Sequence, residues 1–213
     1  MTIVFLLTHI PDPRINKRIE IAKRSNKVIV ICVRRASQDI WEPYYQDIIH
    51  EIIHVDLPSA RQIFKRILAS SKYGNVANRL LKKYRQDIIY TEGLDSLSIA
   101  VRYTRRALCK IIYEVADLRE SFIETPCSIT ARILTRFIKN KEINLFRYVD
   151  KLVITSEKFY DIHYNRLISK DNVILMPNIP DEEPLKNYFK KKNGMFTVGF
   201  IGGIRYLKQM KML

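Results

Sequence analysis

The sequence is short of several things that would each mark a class of protein. It has three cysteines, Cys32, Cys109 and Cys127, odd in number and scattered. They lack metal-ligand spacing and cannot all pair, so burial as small hydrophobes in a reducing compartment is expected. Six glycines and eight prolines in 213 residues are no enrichment, which excludes fibrous and disordered chains. No apolar run approaches the roughly 18 residues of a membrane span. The opening MTIVFLLTHI has no basic leader and reaches Asp12-Pro13 too soon for a signal peptide. A cytoplasmic protein is expected, soluble or peripheral on the inner membrane face. There is no internal repeat and no low-complexity tract. Acids are scarce as well: 22 against 37 lysines and arginines, for a net charge of +15. Residues 57–86 contain none. Such a balance favours an anionic partner: phosphates, an acidic membrane surface or nucleic acid.

What is present is a series of short apolar runs without alternation, the pattern of strands buried on both faces. Residues 3–7 and 28–33 are two such runs. Between them Asp12-Pro13 is a helix start, an N-cap side chain followed by a residue already fixed near helical φ. Ile15, Ile19 and Ala22 form that helix's core stripe, leaving Arg14, Lys17 and Arg18 for other faces. Residues 48–55 suit a third strand. The basic stretch 57–86 suits two amphipathic helices broken near Tyr73-Gly74. Residues 88–90 read as a strand. A helix starting at Asp95 or Ser96 then carries Leu97, Val101 and Leu108, and 111–115 is the next strand. Residues 120–150 hold a helix with Ile129, Ile133 and Phe137 on one face and Arg132, Arg136, Lys139 and Lys141 around it.

Residues 149–178, VDKLVITSEKFYDIHYNRLISKDNVILMPN, read as strand, helix, strand. Residues 152–155 are the first buried strand and Ser156 is the N-cap, with Glu157 beside the positive helix end. Phe159, Ile162 and Leu167 fall on roughly one helical face. Residues 173–176 are the second buried strand, closed by Pro177-Asn178. The whole is an α/β chain, a three-layer, doubly wound, Rossmann-like and mostly parallel sheet. Residues 181–194 are polar and turn-rich, as a linker would be. A new strand follows at 196–201, then Gly202-Gly203 and a helix from Tyr206, where the sequence stops inside a helical pattern.

The wording of 149–178 resembles the end of the first domain in GT-B glycosyltransferases, and most of all the retaining family-4 members. The stretch DPRINKR at 12–18 and the terminal Gly-Gly segment share in the resemblance. It implies the N-terminal half of a GT-B fold. Residues 1–180 would be the acceptor-binding domain, 181–195 the interdomain linker, and 196–213 the truncated start of the nucleotide-sugar-binding domain. The implied reaction moves a sugar from a nucleotide-diphosphate sugar to a saccharide acceptor, often lipid-linked, in surface polysaccharide synthesis. No metal and no cofactor beyond the donor are implied, and the fragment alone is expected to be inactive. In this family a glycine turn and a basic residue meet the donor diphosphate. Gly202, Gly203, Arg205 and Lys208 match that turn, and the physics suits it: glycine lets backbone N–H groups come close, and a helix N-terminus attracts phosphate.

In a doubly wound sheet ligands sit beyond the carboxyl ends of the strands. That rule selects His9 and Arg14 after the first strand and Glu92 after 88–90, all three as acceptor-binding candidates. Each also reads as an ordinary solvated loop or helix-face residue. Arg14, Lys17 and Arg18 would ring an anionic acceptor. Residues 113–118, YEVADL, resemble the family's strand that ends in an aromatic, an acid and a His-Asp pair beside the transferred sugar. Ala116 stands where that histidine often does, so only Asp117 matches, as a catalytic-site candidate or else the N-cap of the next segment. The basic amphipathic stretches 57–86 and 128–141 would suit an anionic membrane surface. Two other readings stand beside this one. A nucleotide-sugar 2-epimerase on the same architecture should show a cluster of carboxylates and histidines, and none is evident in the sequence. A module binding nucleic acid would interleave aromatics with the basic run; Phe64, Tyr73 and Tyr84 are too few, which argues against nucleic acid as the partner.

Overall fold

The computed structural model describes residues 1–34, 42–55, 63–118 and 129–178. Cys127, the linker, and the strand and glycine turn expected after it, with Gly202, Gly203, Arg205 and Lys208, lie outside the described residues. The described part of Met1–Asn178 is one unit built on seven parallel strands in the order β3-β2-β1-β4-β5-β6-β7. These are β1 (Thr2–Leu6), β2 (Lys27–Arg34), β3 (Ile49–His54), β4 (Ile88–Glu92), β5 (Lys110–Val115), β6 (Lys151–Ile154) and β7 (Val173–Leu175). The α/β Rossmann-like class read from the sequence is the class observed. Order reverses beside β1: the chain builds outward to β3, then returns to place β4 on β1's other side.

β1 lacks alternation because both its faces are covered. Val4 and Leu6 enter one core, while Ile3, Phe5 and Leu7 enter the other. The second core is roofed by α1 (Pro13–Lys23) through Ile15 and Ile19. Asp12 caps α1 as expected, its Oδ1 accepting from the Ile15 N–H at 2.8 Å. The first core is roofed by α2 (Ile63–Lys83), α3 (Leu94–Thr104) and α4 (Ile129–Phe146).

Several expectations need correction. α2 is one helix, not two broken near Tyr73-Gly74. Tyr73 is fully buried and holds the helix there, bonded through its hydroxyl to Leu7 O and Ser96 Oγ, both at 3.1 Å. Tertiary packing of that kind outweighs the roughly 1 kcal/mol that a mid-helix glycine costs. Leu108 lies beyond the end of α3 and is fully exposed, so it is no part of that helix's stripe. In α4 the residues Ile129, Ile133 and Phe137 share a face, as expected, and it is the outward one: they are 74, 66 and 66% exposed. Ile138, Leu145 and Phe146 pack inward instead.

The 149–178 unit is also rearranged. β7 is an edge strand rather than a buried one, and Ile174 and Leu175 are partly open. Its helix is a single α turn, Glu157–Phe159, continued as a π turn, Tyr160–Tyr164, in which Asn165 N–H donates to Tyr160 O at 2.9 Å. Ser156 occupies the N-cap position without a side-chain cap bond. Within this turn Tyr164 is fully buried while Ile162 is exposed. No helix among the described residues is long and apolar enough to cross a membrane.

Candidate functional site

The reversal of strand order opens the sheet's carboxyl edge between β1 and β4, and the charged side chains gather there. Arg14 leaves the first turn of α1 and is held by three acids. Its Nη2 donates to Glu92 Oε1 at 2.6 Å and lies 3.3 Å from Asp12 Oδ2; its Nη1 donates to Glu114 Oε1 at 2.8 Å. Arg18, one helical turn on, is buried. Its Nη2 donates to Met176 O just past β7 at 3.0 Å and lies 3.5 Å from Glu114 Oε1. Glu114 sits on β5 with no exposed surface, and its Oε2 accepts from the Tyr90 hydroxyl. Tyr90 in turn stacks on Phe5 with ring centroids 4.8 Å apart. His9 lies in the loop after β1 with Nε2 3.6 Å from Glu92 Oε2 and 3.9 Å from Asp12 Oδ2.

This burial and crowding set the protonation states. Burial pushes the Glu92 carboxyl above the usual carboxylate range. The bond to Arg14 draws it back without cancelling the rise, since Asp12 and Glu114 add their own repulsion. Burial works against the Arg14 cation, but Glu92, Glu114 and Asp12 together outweigh it and hold the charge more firmly. The Tyr90 phenol is raised by burial and by Glu114, so it stays a donor.

A cleft of about 220 Å³ adjoins this ring, with Glu92, Tyr113, Glu114, Asp117, Glu142 and Tyr164 among its walls. Gly93, at φ 80°, forms part of the same wall and turns the chain from β4 into α3, a left-handed conformation that favours glycine. Glu142 projects inward from α4 and is 3% exposed. Its Oε1 accepts from the hydroxyls of Tyr113 at 3.0 Å and Tyr164 at 3.1 Å, and its Oε2 is 3.4 Å from His163 Nε2. Asp117 is exposed at the rim beside Ala116, whose carbonyl accepts from Thr155 Oγ1 at 2.7 Å. Among the described residues no group of three or more histidines, cysteines or acids has the geometry of a metal site.

The structure therefore brings together His9, Arg14 and Glu92 and sets Asp117 on the rim of the adjoining cleft. It does not leave Arg14 and Arg18 facing outward: both are engaged by protein carboxylates and carbonyls. Sequence reasoning passed over Glu114, Tyr90, Glu142, His163 and Tyr164. Glu114 did carry a signal, an acid inside an otherwise apolar strand, KIIYEV. The cluster of carboxylates and histidines not evident in the sequence is present in space.

No protein-family model matches the chain, and no curated protein matches it in sequence. Solved structures do match. HepE from Anabaena, in complex with UDP and glucose, aligns with a TM-score of 0.53 at 16% identity, over 85% of this chain and 45% of that one. Sucrose-phosphate synthase from Thermosynechococcus elongatus aligns with a TM-score of 0.55 at 12% identity, over 83% and 48%. A UDP-N-acetylglucosamine 2-epimerase aligns with a TM-score of 0.52 at 12% identity, over 82% and 47%. The chain thus spans about half the length of the structures it matches. At such identities the likeness establishes the fold: the chain shares the Rossmann-like architecture of GT-B enzymes.

Proposed function

We propose that this chain is the acceptor-binding lobe of a GT-B glycosyltransferase that uses a nucleotide-diphosphate sugar. The observation that carries the reading is the convergence of His9, Arg14 and Glu92 at the reversal of strand order, where open α/β sheets bind ligands. The Rossmann-like likeness to HepE and sucrose-phosphate synthase supports it. In this reading Glu92 and His9 hydrogen-bond acceptor hydroxyls, Arg14 fixes Glu92 in place, and Asp117 contacts the sugar at the rim. The donor diphosphate belongs to Gly202, Gly203, Arg205 and Lys208 together with a donor-binding lobe. The family-4, retaining character implied by the sequence resemblance is part of the same proposal.

The acceptor in this proposal is a lipid-linked saccharide of surface polysaccharide synthesis, reached at the cytoplasmic membrane face. Its support is the outward apolar face of α4, where Ile129, Ile133 and Phe137 stand beside Arg132 and Arg136. Apolar residues entering the interface and cations meeting anionic lipid are the physics of a peripheral helix.

A second reading, a nucleotide-sugar 2-epimerase, is favoured by one observation, the carboxylate and histidine cluster around Glu92 and Glu142. One experiment separates them. The 213-residue chain, alone and fused to a nucleotide-sugar-binding lobe, is given UDP-glucose or UDP-N-acetylglucosamine with a lipid-linked acceptor. Sugar transfer by the fusion alone is the expected result. Formation of the 2-epimer without transfer rejects the main reading.

A further inference from the structure

Arg18 ties together two distant parts of the unit. Its Nη2 donates to Met176 O at 3.0 Å, across 158 positions of sequence, and lies 3.5 Å from Glu114 Oε1. Met176 follows β7 directly and Asn178 is the last residue of the unit, so this carbonyl marks where the chain leaves it for residues 179–213. Three contacts fix Met176. Its N–H donates to Ile154 O at 2.8 Å, its side chain packs on the core roofed by α1, and its carbonyl accepts from Arg18. The second tie runs into the charge ring. Glu114 Oε1 is shared by two cations, with Arg14 Nη1 at 2.8 Å and Arg18 Nη2 at 3.5 Å. Arg14 in turn is drawn the other way by Glu92 Oε1, 2.6 Å from its Nη2. The remaining oxygen of Glu114 accepts from Tyr90 and offers no relief. Arg18 and Glu114 are both buried, so solvent screens their interaction little. Two cations on one carboxylate oxygen then compete for it, and a buried charge that loses its partner is costly. Arg18 Nη2 therefore stands between a carboxylate and a carbonyl. Where it settles depends on how much of Glu114 Arg14 takes.

We propose that Arg18 is a positioning residue that couples the charge ring at the strand ends to the point where the chain leaves this unit, with Glu114 Oε1 as the acceptor for which it competes with Arg14. Whatever draws Arg14 off Glu114 pulls Arg18 inward and releases the Met176 carbonyl. Whatever presses Arg14 onto Glu114 leaves Arg18 to hold that carbonyl. Such coupling is reciprocal, so a displacement at Met176 is felt at Arg14 and Glu92 as well. This device goes beyond the glycosyltransferase reading and operates whatever reaction the chain serves. It also gives the α1 basic residues a different task from ringing an anionic acceptor: Arg14 and Arg18 are the two halves of a relay.

Amide hydrogen exchange of the 213-residue chain, followed residue by residue by NMR at one fixed pH, reads the coupling at the Met176 N–H. The buried Leu7 N–H, which donates to Ile31 O at 2.9 Å, is the reference for opening of the whole unit. Arg18→Met is expected to speed Met176 exchange about tenfold or more by removing a charged donor. Arg14→Met leaves Glu114 Oε1 to Arg18, draws its Nη2 off Met176 O and should speed exchange about threefold. Glu92→Gln lets Arg14 lean on Glu114 and should slow exchange about twofold. In the Arg18→Met background both responses should vanish. The slowing separates coupling from plain destabilisation, since a variant that merely loosened the fold would speed Met176 and Leu7 together. Met176 exchange that ignores Glu92→Gln, or speeds with it, overturns the relay. So does a response to Arg14→Met that survives without Arg18. The two signs are read on chains that keep Arg18, so they decide the matter even if Arg18→Met fails to fold.

Discussion

Replacing Arg14 by methionine removes the cation among three carboxylates while keeping most of the side chain's apolar bulk. Arg14 is 13% exposed, Glu92 16% and Glu114 0%. Removing one partner of a buried ion pair costs about 3–5 kcal/mol, because the other charge is left uncompensated. Two features hold the value at the lower end. Arg18 Nη2 remains 3.5 Å from Glu114 Oε1, and Tyr90 still donates to the other oxygen. The expected loss is about 3 kcal/mol, a fall in Tm of roughly 6–12 °C for a domain of this size. Its pH dependence has a definite sign. Glu92 already titrates above its ordinary range because it is buried, and losing Arg14 raises it further. An acid whose folded pKa lies above its unfolded one loses stability as pH climbs from the unfolded value toward the folded one. The deficit is therefore larger at pH 7 than near pH 5. Urea unfolding followed by far-UV circular dichroism at both pH values measures it. Adding Glu92→Gln to the variant should recover about 1 kcal/mol by removing one stranded charge. A loss below about 1 kcal/mol, or one identical at the two pH values, would refute the view that this arginine holds the site together.

Three further outcomes follow from the same geometry. Gly74→Ala should stabilise the protein by about 0.5–1 kcal/mol in thermal unfolding, because a Cβ there would meet Ile99 Cγ1 at 3.7 Å, an ordinary contact, inside a continuous helix. Tyr73→Phe should cost about 1–2 kcal/mol in urea unfolding by removing the buried hydroxyl from Leu7 O and Ser96 Oγ. Ile133→Ser with Phe137→Ser should leave stability within about 1 kcal/mol, both positions being 66% exposed, yet lower affinity for phosphatidylglycerol vesicles on the order of tenfold in co-sedimentation. Unchanged vesicle affinity would sink the membrane reading of α4.

The central strands were legible because burial on both faces leaves a mark that no helix or loop shares at that length. β1 and β2 are apolar runs, and the structure puts neighbouring residues into opposite cores. The same mark misleads at an edge, where Val173–Leu175 is as apolar as β6 but lies partly open. α4 shows the opposite case. Its more conspicuous stripe, Ile129, Ile133 and Phe137, faces out, while the packed face of Ile138, Leu145 and Phe146 is interrupted by Glu142. An acid on the inward face hides a core stripe from any periodicity argument, and here that acid belongs to the cleft. His9, Arg14 and Glu92 could be placed at the sheet's carboxyl edge from strand ends alone. Their partners could not. Arg14 and Glu114 are 100 positions apart, and Arg18 reaches a carbonyl 158 positions away. Such pairs follow from strand order, which the sequence does not state.

The site and the net charge point to different surfaces, and the separation has a physical logic. The two arginines nearest the cleft are neutralised there, so the excess of +15 must be carried elsewhere. Lys82 and Lys83 end α2, and Arg132 and Arg136 stand on the exposed side of α4. A like-charged membrane or diphosphate approaching the strand ends would meet acids, whereas one approaching these helices would meet cations. A chain that was basic throughout would draw every anion to this cleft as well. An acidic floor within a basic exterior turns such anions away by repulsion rather than by shape. Specificity of this kind needs the unwanted ligand to be disfavoured, not merely the wanted one to fit. On that argument the cleft acids discriminate by what they exclude. In the proposed acceptor-binding reading, their neutralisation should therefore broaden acceptor choice rather than abolish acceptor binding.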